Sequence, residues 1–198
     1  MATVRAFVGL GANLGDARAT LTAAVHALAA MPAVTLVAVS SLYATAPVEV
    51  TDQPYFHNAV AGLDVPAGPP GGSGAIALLL GLKGIERAFG RIERARYGPR
   101  ELDLDLLIFG DQWLSVERPP DGLSQDPARK GLSLLQVPHP KAHERLFVLA
   151  PLADVAPALM PPGWNETVEQ ARVRQELVEG PDAVRPVARW DEAAGEWV

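Results

Sequence analysis

Apolar positions along the chain change period several times, and each change marks an element. Residues 4–10, VRAFVGL, are β-branched, aromatic and apolar and stop at Gly11, which predicts a first strand. Leu21, Ala24, Val25 and Leu28 then recur at the spacing of one helical face. Asp16 is placed to cap that face and Pro32 to end it, so a helix is predicted over 17–30. Residues 34–43 and 56–64 read as two further strands, parted by a polar stretch containing Pro47 and Pro54. Leu78, Leu82, Ile85 and Phe89 form a second helical stripe over 75–89, and 101–109 reads as a fourth strand. The order β-α-β-β-α-β is that of an α+β, ferredoxin-like sandwich, an antiparallel sheet with both helices packed on one face.

The rest of the chain is punctuated by proline and glycine. PAGPPGGSG (66–74) reads as a long loop inside the domain, because the strands before it need partners after it. The polar, proline-containing excursion 112–134 follows the fourth strand, and VPHP (137–140) is held extended by its prolines. A short helix near 144–154, a helix over 168–178 and a strand over 184–190 complete the prediction. One domain is expected over 1–165, with 166–198 as an extension packed on it.

Composition narrows the function classes. The 198 residues carry a net charge of −6, which argues against a general nucleic-acid or membrane-surface binder. Cysteine is absent, so disulfides and thiolate metal sites are excluded and a reducing cytoplasm is the expected compartment. No export signal or bilayer-spanning stretch stands out.

Candidate chemistry concentrates in RYGPRELDLDLL (96–107). Alternate strand residues share a face, so Asp103 and Asp105 point one way and Leu102, Leu104 and Leu106 the other. Their Cα atoms are then roughly 6–7 Å apart, and two carboxylates at that spacing can converge on hard cations such as Mg²⁺. Aspartate is disfavoured in strands, and two in an apolar one need compensation, which a metal supplies. Residues 83–100 hold Lys83, Arg87, Arg91, Arg94, Arg96 and Arg100 against Glu86 and Glu93, a local net of +4. Two acids for Mg²⁺ beside clustered arginines suit a nucleoside triphosphate.

Three other patterns carry less. Gly9-x-Gly11-x-x-x-Gly15 departs from the dinucleotide fingerprint by one residue in its last gap, and no acidic residue follows at the required distance. No GK[ST] is present, which excludes a P-loop. His139 and His143 lack the glutamate of a zinc-protease helix and have Pro140 between them.

Four blocks in order closely resemble the 6-hydroxymethyl-7,8-dihydropterin pyrophosphokinases of folate biosynthesis: VGLGANLGD (8–16), SSLYATAPVEVTDQPYFHNAV (40–60), GIERAFGRIERARYGPRELDLDLLIFGD (84–111) and VPHPKAHERLFVLAPLADVAP (137–157). The resemblance implies attack of the pterin hydroxymethyl oxygen on the β-phosphorus of ATP, transfer of pyrophosphate and release of AMP. It implies two Mg²⁺ at Asp103 and Asp105, with Arg91 and Arg96 joining that pair as catalytic residues. Lys83, Glu86, Arg91, Arg96, Tyr97, Arg100, His139 and Arg145 match the ATP site. The pterin would stack between Phe56 and Phe147, with Thr45, Asn58 and the backbone near Val48 on its polar edge. Tyr97 stands where the family usually has Trp, Glu93 where many members carry Arg, and Pro140 and Leu134 at positions that are Tyr and Arg in some relatives.

No strong general base lies in these blocks, so catalysis is expected to rest on positioning and charge neutralisation, with loops 44–54 and 90–99 closing over ATP. The partners implied are small molecules, without nucleic acid or membrane, and a monomer is the working expectation. A non-catalytic pterin- or nucleotide-binding regulatory module on the same fold is the alternative; it would need no aspartate pair.

Overall fold

A computed structural model describes residues 2–47, 52–90, 99–118 and 133–198. The chain runs β1 (Thr3–Ala12), α1 (Ala17–Ala29), β2 (Thr35–Val39), β3 (Leu42–Thr45), β4 (Phe56–Pro66), α2 (Ser73–Ala88) and β5 (Asp103–Phe109). It continues through the short pair β6 (Leu114–Val116) and β7 (Leu135–Val137), a 3-10 turn (Ala142–Glu144), α3 (Leu146–Val155) and α4 (Val168–Glu179). It closes with β8 (Val184–Ala188), β9 (Trp190–Asp191) and β10 (Glu196–Trp197).

The main sheet has the order β5-β1-β4-β3-β8, with β2 beside β3 along the same flank of β4, and every pair is antiparallel. With β2 and β3 taken as one bent strand, this is the ferredoxin-like arrangement that the element order predicts. The predicted strand 34–43 breaks at Ser40. The Ser40 hydroxyl accepts the Val60 N–H at 2.9 Å, a place that a backbone carbonyl would otherwise fill. That frees the Ser40 carbonyl, which accepts from the Trp197 indole at 2.9 Å.

Alternation along β1 and β4 sorts two cores. Ala6, Val8, Leu10, Ala59, Ala61 and Leu63 face Leu21, Ala24, Val25 and Leu28 of α1 and Ala75, Leu78 and Leu82 of α2. Asp16 caps α1 by accepting the Ala19 N–H at 3.0 Å. Phe7, Val60, Leu107 and Ile108 face the other way, against Leu152 and Ala153 of α3 and Val168 of α4. So α1 and α2 share one face, as the sequence predicts. The opposite face, for which the sequence predicts no helix, is covered by α3 and α4. Among the described residues no helix is long and apolar enough to cross a membrane.

The last residues are built into this body. β8 extends the sheet beside β3, and the β9–β10 hairpin lies on α1, where His26 Nε2 meets the Gly195 carbonyl at 2.7 Å. Trp197 is fully buried, with the Trp190 ring edge-on at 4.8 Å. Trp197→Ala should lower stability by about 3–5 kcal/mol, read as a reduced urea midpoint, since it opens a cavity and orphans the Ser40 carbonyl.

Candidate active site

β5 is an edge strand, and its alternation holds in the structure. Leu102, Leu104 and Leu106 are buried against α1 and α2. Asp103 and Asp105 therefore lie on the face that α3 covers. Their partners on β1 are Gly11 and Gly9. Gly11 in turn pairs with Asn58 of β4, and Asn58 with Tyr43 of β3. One row across the sheet thus reads Asp103, Gly11, Asn58, Tyr43. Glycine leaves the middle of that row without a side chain: a Cβ on Gly11 would sit 3.4 Å from Asn58 Oδ1. The result is a bare strip of β1 backbone between a carboxylate pair and a buried amide, two inter-strand spacings or roughly 9.5 Å apart.

The carboxylate end is electrostatically tense. Burial pushes the Asp105 carboxyl above the ordinary carboxylate range, and the neighbouring charge of Asp103 adds to it; Lys83, His139 and Arg100 oppose them. Arg100 pairs directly with Asp103 Oδ2. Burial also lowers the His139 imidazole below its usual value, against the pull of Asp105. His139 Nδ1 accepts the Lys141 N–H at 3.2 Å, so the neutral ring carries its proton on Nε2. The His139 N–H, donating to the Leu107 carbonyl at 2.8 Å, fixes this residue beside β5.

Lys83 and Glu86 of α2 grip the outer side of β5. The buried Glu86 carboxylate accepts the Leu104 N–H at 2.7 Å and pairs with Lys83 at 2.8 Å, while Lys83 donates to the Leu104 carbonyl at 3.0 Å. Together they satisfy the backbone that an edge strand leaves open.

The amide end is equally built. Asn58 Nδ2 donates to Thr45 Oγ1 at 3.0 Å, and both residues are buried. Phe56 lies two residues from Asn58 on β4, hence on the same face. Phe147 opens α3 above that face, with the Arg145 guanidinium 5.6 Å from its ring centroid. Asp154 ties α3 down by accepting from Tyr43 Oη and from the Ser41 N–H, each at 2.9 Å. Burial and that hydrogen bond push the Tyr43 phenol above its usual value.

Sequence reasoning missed Asn13. This buried residue exchanges two bonds with Arg100: its N–H donates to the Arg100 carbonyl at 3.1 Å, and its Oδ1 accepts the Arg100 N–H at 2.7 Å. Its Nδ2 donates to Gln53 Oε1 at 3.1 Å and to the Pro54 carbonyl at 3.2 Å. It thereby joins the approach to β5 to the approach to β4. The sequence did carry a trace of the glycine floor, since G-x-G and D-x-D share a period of two. Of the predicted residues, Val48, Arg91, Arg96 and Tyr97 lie outside the described residues.

Among the described residues, no group of three or more His, Asp and Glu side chains is arranged to hold a metal. Asp103 and Asp105 are two carboxylates on one strand face that could hold a cation. Two hard carboxylates that repel each other fit Mg²⁺, which keeps waters and takes phosphate oxygens rather than a full protein cage.

The chain's residues 7–157 match the family model for 7,8-dihydro-6-hydroxymethylpterin-pyrophosphokinase, HPPK. The chain belongs to this family. It is 42% identical over 165 residues to the 2-amino-4-hydroxy-6-hydroxymethyldihydropteridine pyrophosphokinase of Pseudomonas aeruginosa, covering 83% of this chain and 88% of that one. It is 35% identical over 169 residues to the Bacillus subtilis protein of the same name, covering 85% and 88%. The crystal structure of wild-type Plasmodium falciparum HPPK-DHPS shares the fold, with a TM-score of 0.69 at 14% identity. That likeness covers all of this HPPK-family chain, which spans about half of the longer chain (50%).

The Glu86 grip has a measurable consequence. Glu86→Ala should destabilise the chain by about 1–3 kcal/mol in urea unfolding, because the Leu104 N–H loses its partner. Glu86→Gln keeps an acceptor and should lose less.

Proposed function

We propose that this pyrophosphokinase lays its two substrates across the bare strip of β1, with the ATP triphosphate at Asp103 and Asp105 and the pterin at Thr45, Asn58, Phe56 and Phe147. The reaction joins the pterin hydroxymethyl oxygen, which loses its proton to solvent, to the β-phosphorus of ATP, breaks the bond from that phosphorus to the α-phosphate oxygen, and releases AMP, a step of folate biosynthesis. The row Asp103, Gly11, Asn58 supports this reading, because it puts a carboxylate and a buried amide on one sheet face with a glycine between them.

Each residue has a distinct task. Asp103 and Asp105 would hold two Mg²⁺ ions, which when bound would neutralise triphosphate charge and make the β-phosphorus more electrophilic. Asn58 and Thr45 hydrogen-bond the pterin edge while Phe56 and Phe147 sandwich its ring. His139, through Nε2–H, and Arg145 donate to phosphate oxygens. Arg100 holds Asp103 in place. Arg91 and Arg96 meet the charge that develops on the transferred group, with Tyr97 beside them and the backbone near Val48 on the pterin. Lys83 and Glu86 keep β5 in register behind the nucleotide. Positioning and charge neutralisation then do the chemical work, as in phosphoryl transfer generally. The cysteine-free composition supports a reducing cytoplasm as the compartment.

Asp103→Asn and Asp105→Asn should each lower kcat by about 10²–10³-fold with the thermal unfolding midpoint nearly unchanged. Chromatographic detection of AMP formed from ATP and 6-hydroxymethyl-7,8-dihydropterin reads this directly. Turnover within a few-fold of the parent chain would remove the carboxylate pair from the reaction.

A further inference from the structure

Arg145 and Phe147 sit at a joint. The 3-10 turn ends at Glu144, α3 starts at Leu146, and Arg145 between them is extended (φ −133°, ψ 112°). A helix start leaves its first N–H groups without helical partners, and the residue at the cap position usually supplies an acceptor. Arginine has none to give. The acceptor comes instead from α4: Glu179 Oε1 takes the Leu146 N–H at 2.9 Å.

On the other side of Arg145 the same helix supplies a donor. Arg174 Nη2 donates to the His143 carbonyl at 2.9 Å. Gln175 connects the two grips. Its Oε1 accepts from Arg174 Nη1 at 3.1 Å, and its Nε2 donates to Glu179 Oε1 at 2.9 Å. Glu166 holds the far side of Arg174 at 2.9 Å. A continuous bracket therefore runs from the His143 carbonyl through Arg174, Gln175 and Glu179 to the Leu146 N–H, with Arg145 inside it.

Packing alone does not call for this bracket. The buried residues of α4 are Val168, Ala171 and Gln175, so its apolar contact comes from the first turn. Towards its end the inward position is a glutamine, while Leu177 is 83% exposed. Gln175 is the buried member of the network, while Arg174 and Glu179 are exposed, so their bonds hold geometry more than they add stability. The family match ends at residue 157, so nothing in it assigns a role to α4.

We propose that Arg174, Gln175 and Glu179 are positioning residues for pyrophosphoryl transfer: they lock the joint so that Arg145 meets the phosphates of ATP and Phe147 meets the pterin ring. This rests on the roles given above to Arg145 and Phe147. Both bonds to Glu179 fall on Oε1, which sets up a sharp test. Glu179→Gln keeps one carbonyl oxygen there and should stay within about three-fold of the parent chain in kcat/KM, whereas Glu179→Ala should lose about ten-fold. Leu177→Ala, on the exposed face of the same helix, should change nothing. In an Arg145→Ala background, Glu179→Ala should add less than about two-fold to the loss in kcat/KM for ATP, because the joint no longer has a guanidinium to place, while the placing of Phe147 is read separately in KM for the pterin. If Glu179→Ala does not fold, Glu179→Asp takes its place in the cycle, withdrawing the oxygen while keeping the charge. Steady-state kinetics with ATP and 6-hydroxymethyl-7,8-dihydropterin give all these values. Full activity in Glu179→Ala, or losses that simply multiply with Arg145→Ala, would overturn the bracket. Full activity in Arg145→Ala would instead overturn the phosphate role of Arg145 itself.

Discussion

Two carboxylates two residues apart on one strand face repel each other, and most of the molecule's local construction answers that repulsion. Asp103 and Asp105 stand on an edge strand and are only partly exposed. Burial and mutual repulsion raise the protonation tendency of Asp105. Arg100 answers Asp103 by direct contact, and the positive charge of Lys83 favours the ionised form of Asp105. What is left is a carboxylate pair whose ionised forms are opposed by burial and mutual repulsion. A divalent cation carrying a polyphosphate would relieve that repulsion, supplying positive charge to the carboxylates and taking oxygen ligands from the phosphate.

The two faces of the sheet divide the labour. One is closed by α1 and α2 with aliphatic side chains, and it holds the strands in register. The other is left thin where chemistry is needed. Gly11 leaves β1 without a side chain there, the Leu107 side chain lies against Gly9, and α3 brings Arg145 and Phe147 to this face. Clamps at the margin set how α3 sits: Asp154 to the bend between β2 and β3, and α4 to the joint before Leu146. Segments late in the chain thus place residues at the candidate site. Even Trp197 reaches back to Ser40, at the bend that Asp154 grips through Ser41.

Local periodicity made much of this legible. β1, α1, α2, β4 and β5 are long enough for their apolar period to be unambiguous, and their order yields the sheet. The aspartate face follows from alternation alone. The bend at Ser40 was not legible, because a hydroxyl standing in for a carbonyl changes no periodic pattern. Asn13 was hidden for a related reason: its partners are Gln53, Pro54 and Arg100, forty or more positions away. Gly9 and Gly11 were weighed as a nucleotide loop, although they lie within a strand and pair with the aspartates. Lys83 and Glu86 match nucleotide-site positions, and the structure adds that their charged groups hold the backbone of Leu104. Nothing local in α4 marks Glu179 as the cap of another helix.

The affinity of the aspartate pair for divalent ions is tested most directly by crystallography. Crystals grown with Mn²⁺, a non-hydrolysable ATP analogue and the pterin would give an anomalous difference map. Peaks within about 2.0–2.3 Å of Asp103 and Asp105 carboxylate oxygens, also touching the triphosphate, are the predicted result. Manganese bound to the nucleotide but away from both carboxylates would contradict it.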